Sequence, residues 1–231
     1  PRNVPGSYMP CFLAGVAAAA AAANLLGIPL FKFSHQAGHI MAALFGCGRT
    51  ELWRDRGEFL AFHVSGGTTE IMYVNNRTIT KLGGTLDISA GQAVDRIGVK
   101  LGLKFPCGPA LEELAAGAEL PNEPIHVSAN GCDFNLSGLE NKASKLLMRG
   151  ESPASVALYT LEFIARTLVA VAESAAEHFP NLPLICAGGV MSNKLIAASL
   201  QKRFDACFAP PELSCDNAAG IALLTELEYA D

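Results

Sequence analysis

The spacing of apolar positions predicts a helix at the start of the chain, then a strand and a second helix. Residues 8 to 26 carry apolar side chains at helical spacing, and Gly27 is typical of a helix C-cap. Residues 29 to 34 form a short apolar run that predicts a buried strand. Residues 35 to 46 predict the second helix, and the charged stretch from 47 to 58 predicts a loop.

From residue 59 the alternation of apolar and polar positions becomes that of strands. Strands are predicted at residues 59 to 64, 71 to 74 and 78 to 82, which together form an antiparallel meander. The first turn of the meander, Ser65-Gly66-Gly67-Thr68-Thr69, is rich in glycine and hydroxyl groups. Backbone N–H groups at such a turn can face phosphate oxygens, although a tight hairpin explains the same sequence.

The remainder of the chain alternates helical segments with short apolar strands. Helices are predicted from Asp87 or Ser89 to Leu103, over 110 to 118, up to Met148, over 152 to 179, over 194 to 204, and from Asp216-Asn217 onward. Strands are predicted within 133 to 139, 183 to 187 and 206 to 209. A strand followed by Gly188-Gly189 and a helix is typical of nucleotide sites, because an open helix N-terminus attracts anions. The pattern predicts an α/β fold.

Composition and charge restrict the kinds of partner that the chain can attract. Its 231 residues are 50% hydrophobic and 17% charged, which suffices for one large domain or two small lobes. With a formal net charge of −5, any RNA must meet a local basic patch or a partner protein. The apolar run from 10 to 30 is dominated by alanine and contains Asn24 and Gly27, so it favours a packed helix over a membrane span.

The cysteines indicate a reducing compartment. The chain has seven of them, an odd number, and no two form a C-x-x-C pair. The sequence also carries no signal-peptide pattern. We therefore expect reduced thiols in a cytoplasmic protein.

Two histidines on the second predicted helix are the clearest candidates for metal ligands. His35 and His39 lie four residues apart, so both imidazoles point to the same side of the helix. Neutral imidazoles so placed can hold two coordination positions of one metal ion. Asp216 is a candidate third ligand, because carboxylate and imidazole commonly share zinc or non-haem iron. The alternatives are that His35 caps the helix, that His39 only packs and that Asp216 is an N-cap.

Taken in order, seven short segments resemble the tRNA threonylcarbamoyl-transferase family, whose members were once described as O-sialoglycoprotein endopeptidases. The segments are S-H-Q-A-G-H, H-V-S-G-G-T-T-E, D-I-S-A-G-Q-A-V-D-R, F-P-C-G-P, F-N-L-S-G-L, A-G-G-V-M-S-N and C-D-N-A-A. Each segment alone is weak. Their order along nearly the whole chain, from Gly6 to the last helix, makes the resemblance specific.

The resemblance implies a two-lobed α/β fold of the actin-like ATPase (ribonuclease H-like) type, shared with Hsp70 and sugar kinases. The first lobe is then residues 1 to 58, with the last helix, 216 to 231, packed back on it, and the second lobe is residues 59 to 215. The family's opening strands, with their phosphate loop, have no counterpart before Pro1, where the chain begins without methionine. We therefore expect an incomplete first-lobe sheet and poor activity of the isolated chain.

The implied reaction transfers a threonylcarbamoyl group from its AMP anhydride to N6 of the adenosine 3′ of the tRNA anticodon. The ligands carried over by position for one divalent ion, iron or zinc, are His35, His39 and Asp216. The residues carried over for the acyl-adenylate, or an ATP- or ADP-like nucleotide, are His63, Val64, Ser65, Gly66, Gly67, Asp95, Gly108 and Asn193. Within that set, Asp95 and Gly108 match positions near the ribose, and Asn193 matches a contact near the adenine.

The resemblance also implies the kind of catalysis and the partners. The sequence shows no convincing Ser-His or Cys-His nucleophile pair, so the protein is expected to orient the reactants without a nucleophilic side chain. The implied partners are tRNA, a shorter paralogous subunit and an ATPase subunit of the same pathway. A homo-oligomer is a further expectation, and no membrane partner is expected.

The chain departs from the family pattern at positions that keep other functions open. Ala37 stands where the family has the glutamate of His-x-Glu-Gly-His, Thr68 replaces a usual histidine, and Cys107 replaces a glycine. Ala37 and Thr68 favour a catalytically silent paralogue that acts as a scaffold. A metallopeptidase is disfavoured, because the glutamate base next to the first histidine of H-E-x-x-H is absent. A small-molecule kinase of the same fold would need the N-terminal phosphate loop.

Overall fold

The computed structural model describes residues 10–214 and 218–230, which form a layered α/β structure. The helices, in chain order, are α1 Pro10–Leu26, α2 His35–Gly46, α3 Glu51–Arg54, α4 Ala90–Lys100, α5 Gly108–Ala115, α6 Ser137–Met148, α7 Pro153–His178, α8 Lys194–Gln201, α9 Pro211–Ser214 and α10 Ala219–Ala230. The strands are β1 Glu58–Val64, β2 Thr69–Asn75, β3 Thr78–Gly84, β4 Ala129–Asn130, β5 Asp133–Phe134, β6 Leu184–Ala187 and β7 Ala206–Phe208.

A mixed sheet of five strands, in the order β3-β2-β1-β6-β7, organises the described residues. The central strand β1 pairs antiparallel with β2 and parallel with β6, and β7 continues the parallel side. Alternation along β1 sends Leu60, Phe62 and Val64 into one apolar cluster and Phe59 and Ala61 into another. The sheet therefore has a core on each face, the first packed with α4 to α8 and the second with α2 and α10.

The longest helix, α7, is the centre of the larger core. It begins at the N-cap Ser152, whose hydroxyl oxygen accepts from the Ser155 N–H, and Pro153 occupies the first turn, where its missing N–H costs nothing. By length and composition α7 is the one described helix that would suffice to cross a bilayer, but 67% of its most apolar 18-residue window is buried inside the protein. Its burial marks α7 as a core helix.

Most predicted elements are confirmed, and the differences lie at residues 29 to 34, 47 to 58 and 211 to 214. The predicted strand at 29 to 34 is wrong, because no described strand runs beside it to complete a hydrogen-bond ladder. The predicted loop at 47 to 58 contains the short helix α3, and the short helix α9 lies in a stretch for which no helix is predicted. Helix α1 forms as predicted but is not packed, since nearly all side chains from Leu13 to Leu26 are exposed. Most of its alanines supply helix propensity from exposed positions, and Ala23 is the one buried residue among the described side chains of α1.

The prediction of reduced thiols is wrong for one pair of cysteines. Cys47, the C-cap of α2, is disulfide-bonded to Cys207 of β7, 160 residues away in sequence. The fold brings the two together, and no local pattern announces a pairing over that distance. Among the described residues Cys107, Cys132 and Cys186 are free thiols. Burial raises the pKa of the Cys186 thiol well above its usual value, so this thiol is a poor nucleophile.

Candidate active site

The histidine pair of α2 is brought together as the helical spacing predicts. Ser34 caps the helix, its hydroxyl oxygen accepting from the Ala37 N–H at 3.1 Å. The Nε2 atoms of His35 and His39 lie 3.1 Å apart. Two imidazole nitrogens bound to one zinc ion at a tetrahedral angle are separated by about 3.4 Å, so the observed spacing fits joint ligation of one ion.

A third histidine lies against this pair. The ring of His63 stacks on the ring of His39 with centroids 4.4 Å apart, and it lies 6.2 Å from the ring of His35. His63 is 2% exposed and projects from β1 on the same side as Phe59 and Ala61, which is the side that α2 covers. The structure thus places His63 with the α2 histidines, on the face of the sheet opposite Val64.

The predicted third metal ligand is Asp216. Asp216 lies outside the described residues, so its predicted part in the metal site stays a prediction. Within 10–214 and 218–230, no group of three or more His, Cys, Asp or Glu side chains has a geometry that could hold a metal ion. His35 and His39 therefore fit two coordination positions, and a further ligand must come from elsewhere.

Sequence reasoning gave no role to Glu70, a carboxylate buried beside the α2 histidines. Glu70 is 7% exposed and pairs with His63 across the β1–β2 ladder. Its Oε1 accepts from the Gln36 side-chain amide at 3.2 Å, and its Oε2 lies 3.3 Å from Lys81 Nζ. The strand alternation that places His63 under α2 could have predicted this position of Glu70, because directly paired residues on neighbouring strands project to the same side of the sheet.

The glycine turn, Ser65 to Thr68, follows β1 at the carboxyl end of the parallel strand pair. It is a closed hairpin in which the Ser65 hydroxyl oxygen accepts from the N–H groups of Gly67 and Thr68, at 3.4 and 3.2 Å. A Cβ built on Gly66 or Gly67 would meet no atom within 4 Å, so the turn borders open space. The hairpin interpretation is confirmed, and the turn remains accessible to a ligand.

Close backbone approaches hold the glycine turn in place. A Cβ on Gly91, at the start of α4, would lie 2.6 Å from the Ser65 carbonyl oxygen, and the Ser89 hydroxyl donates to the Gly66 carbonyl at 2.6 Å. On the other side Gly188 has a φ of +101°, and its Cβ would lie 2.3 Å from the Val64 carbonyl oxygen. Only glycine allows β6 to leave the sheet so close to β1.

Of the remaining predicted site residues, Gly108 and Asn193 lie at helix starts, and Asp95 lies within α4. Half-buried Asp95 accepts from the Cys107 N–H at 2.8 Å and so fixes the first turn of α5, which begins at Gly108. Asn193 caps α8, its side-chain oxygen accepting from two helix N–H groups at 3.1 Å. Glu112 of α5 accepts from the Lys194 N–H at 2.9 Å and joins the two helices. Asp95 and Asn193 thus have structural partners of their own.

Asp87 fastens the segment before α4 to the start of α6. Its carboxylate accepts from the N–H groups of Ile88, Leu136 and Ser137 at 2.7 to 3.0 Å. Burial alone would raise its pKa, but these hydrogen bonds to Leu136, Ser137 and Ile88 together outweigh burial and lower the pKa to about 2. The ionised Asp87 carboxylate therefore links the segment before α4 to the start of α6 through hydrogen bonds.

Replacing Asp87 with asparagine is expected to lower the free energy of unfolding at neutral pH by about 1 kcal/mol. The effect is no larger because the side chain is exposed and solvent screens its charge. Since the folded pKa lies below the unfolded value of 3.8, the contribution is present above about pH 4 and is lost as pH falls toward 2. Urea unfolding at pH 6 and pH 3 measures the difference in free energy of unfolding, here called the gap, between wild type and Asp87→Asn. The gap should shrink at pH 3, while exposed Asp205→Asn serves as the control. A gap that is equal at both pH values contradicts the assignment.

Comparison with known proteins identifies the family. The profile of the tRNA N6-adenosine threonylcarbamoyltransferase family matches residues 3–223. The chain belongs to this transferase family. The tRNA N6-adenosine threonylcarbamoyltransferase of Streptococcus thermophilus is 34% identical over 229 residues, covering 94% of this chain and 66% of the relative. The transferase of Bacillus licheniformis is 34% identical over 226 residues, covering 91% and 64%. The chain thus spans just under two thirds of the length of these transferases.

Solved structures similar to this transferase-family chain show the fold. HypF of T. kodakarensis superposes with a TM-score of 0.67 at 15% identity, covering 93% of this chain and 39% of that one. Component A of (R)-2-hydroxyglutaryl-CoA dehydratase from Acidaminococcus fermentans has a TM-score of 0.55 at 16% identity, covering 89% and 73%. These proteins have the actin-like ATPase fold, which confirms the predicted fold class.

Proposed function

We propose that this chain contributes the metal and acyl-adenylate site for threonylcarbamoyl transfer to N6 of a tRNA adenosine. Membership of the transferase family supports the reaction class. The observation that carries the site is the 3.1 Å separation of the His35 and His39 nitrogens at the start of α2. Imidazoles on successive helical turns at this distance suit a shared ion of the zinc or iron type.

The part of the chain that meets the nucleotide is proposed to be the end of the sheet where β1 and β6 stop. Parallel neighbouring strands place their carboxyl ends together, and ligands of open α/β sheets bind at that edge. The glycine turn borders open space in which an anhydride phosphate can lie, and the starts of α5 and α8 add partial positive charge. A HypF structure of the same fold contains the full-length protein in a phosphate- and nucleotide-bound form. It superposes with a TM-score of 0.62 at 11% identity, covering 78% of this chain and 33% of that one.

In this proposal the side chains orient two reactants and no side chain becomes covalently attached. The adenosine N6 amine attacks the carbamoyl carbonyl carbon, a C–N bond forms, the carbonyl–phosphate anhydride bond breaks, AMP leaves with the electron pair, and the amine releases one proton to solvent. A divalent ion, when bound, would supply polarisation of the carbonyl oxygen. His35 and His39, with Asp216 as the proposed third ligand, would hold that ion. Gly108 and Asp95 are proposed to border the ribose, and Asn193 the adenine side.

We also propose the partners with which the chain works. They are tRNA, a shorter paralogous subunit and an ATPase subunit, in a cytoplasmic assembly. A net charge of −5 gives the chain little attraction of its own for RNA, so tRNA is proposed to bind with the help of partner subunits.

A scaffold without transferase activity is the second candidate, and Ala37 is the observation that favours it. Ala37 is buried in the apolar cluster under α2, so this position presents a methyl group where the family pattern has a carboxylate. Loss of a carboxylate beside a metal ligand removes a group that commonly orients the site. The paralogue would keep the fold and its partner surfaces without catalysing transfer.

A reconstitution assay separates the two functions. The chain and its pathway partners are incubated with unmodified tRNA, threonine, bicarbonate and ATP, and the nucleosides are analysed by mass spectrometry. Threonylcarbamoyladenosine is expected with the wild-type chain and not with His39→Ala, while exposed His178→Ala serves as the matched control. Binding of the partner proteins without any modified adenosine would overturn the transferase and favour the scaffold.

A further inference from the structure

Glu70 is a charged group that the proposed reaction leaves without a role. Its carboxylate is almost completely buried, whereas the side chain of Lys81, whose Nζ lies 3.3 Å from Glu70 Oε2, is 58% exposed. A half-exposed ammonium group compensates poorly for the desolvation of a buried carboxylate. A gain in stability therefore does not explain why a carboxylate is buried at position 70, and the contacts of Glu70 indicate its function.

The surroundings of Glu70 are the first turn of α2. Alternation along β2 places Glu70 on the same side as Met72 and Val74, both of which belong to the apolar cluster under α2. The side-chain amide of Gln36 donates to Glu70 Oε1 at 3.2 Å. Because Gln36 directly follows His35 in the helix, this hydrogen bond ties the histidine-bearing turn to the sheet.

We propose that Glu70 is a positioning residue of the histidine pair and acts through Gln36. The proposal rests on the metal site of the proposed function. Hydrogen-bonded groups behind metal ligands fix ligand orientation, and their loss commonly weakens metal binding about 10- to 100-fold. Glu70 supplies from β2 a carboxylate at the histidine site, which the methyl group of Ala37 does not supply from α2.

Three substitutions separate the hydrogen bond from the charge. Glu70→Leu removes both, Gln36→Leu removes the donor, and Glu70→Gln keeps an acceptor oxygen while removing the charge. The matched control is Glu58→Leu at the other end of β1, an exposed carboxylate that accepts from the Tyr73 hydroxyl at 2.8 Å, far along the strand from the histidines.

Zinc affinity is measured by competition with a chromophoric chelator, and the cobalt(II) form is examined by absorption spectroscopy. Glu70→Leu and Gln36→Leu are expected to lower zinc affinity by about 10- to 100-fold and to change the cobalt spectrum. Glu70→Gln should restore most of the affinity, and Glu58→Leu should match wild type. The Tm of metal-free Glu70→Leu should not fall, because an apolar side chain replaces a buried charge.

The outcomes distinguish this inference from the proposed function. Wild-type affinity and spectrum in both Glu70→Leu and Gln36→Leu, with zinc bound, overturn the positioning role and leave the metal site intact. A wild-type chain that binds neither zinc nor cobalt overturns the metal site and the inference together. If Glu70→Leu does not fold, the half-buried Gln36→Leu decides the matter. If Gln36→Leu lowers both the Tm of the metal-free protein and the zinc affinity but leaves the cobalt spectrum unchanged, the contact only stabilises the fold and the positioning role is overturned.

Discussion

Replacing His39 with alanine is expected to abolish stoichiometric binding of a divalent ion to this chain. The His39 and His35 nitrogens lie 3.1 Å apart and would occupy two positions of one coordination shell. Removing one leaves a single imidazole from α2, which should lower affinity by more than about 100-fold, beyond the loss typical of groups behind the ligands. Metal analysis of freshly purified wild-type protein should find one equivalent of iron or zinc.

The control for this experiment is another histidine of the same chain. His178 lies at the end of α7, exposed, with its ring nitrogen 3.2 Å from the Ser174 carbonyl oxygen. His178→Ala should keep the full equivalent of metal, and His35→Ala should lose it as His39→Ala does. Retention of one equivalent in both α2 variants would contradict the assignment of this pair, whatever metal is found.

The features that the sequence predicts well are those encoded by local periodicity. The four-residue spacing of His35 and His39 is a property of the helix itself, so the pair could be placed before any tertiary contact was known. The alternation through β1 likewise predicts the meander and its hairpin turn. The parallel strand β6 follows from a short apolar run before a double glycine.

The features that escaped prediction depend on which distant segments meet. Whether residues 29 to 34 form a strand depends on a neighbouring strand, which periodicity does not report. The part played by Glu70 depends on strand register, since only its pairing with His63 places it under α2. Asp216 lies outside the described residues, and its part in the metal site stays a prediction.

Reducing the Cys47–Cys207 disulfide is expected to lower the free energy of unfolding by about 2–4 kcal/mol. The bond closes a loop of 160 residues, and a long loop removes much entropy from the unfolded chain. It also fastens the end of α2 to β7, while the histidines lie at the beginning of the same helix. Urea unfolding with and without dithiothreitol measures the effect.

The variant Cys47→Ser/Cys207→Ser should show the lower stability with or without dithiothreitol, because it has no bond to reduce. Cys132→Ser, which removes a free and partly buried thiol, should retain the response to dithiothreitol. Thiol titration of the denatured wild-type protein, before reduction, should leave Cys47 and Cys207 unmodified and should modify Cys132. Full titration of Cys47 and Cys207 together with an unchanged urea midpoint would contradict the bond. Because α2 carries the histidine pair, a confirmed disulfide would make the oxidation state of Cys47 a condition to control in every metal-binding measurement on this chain.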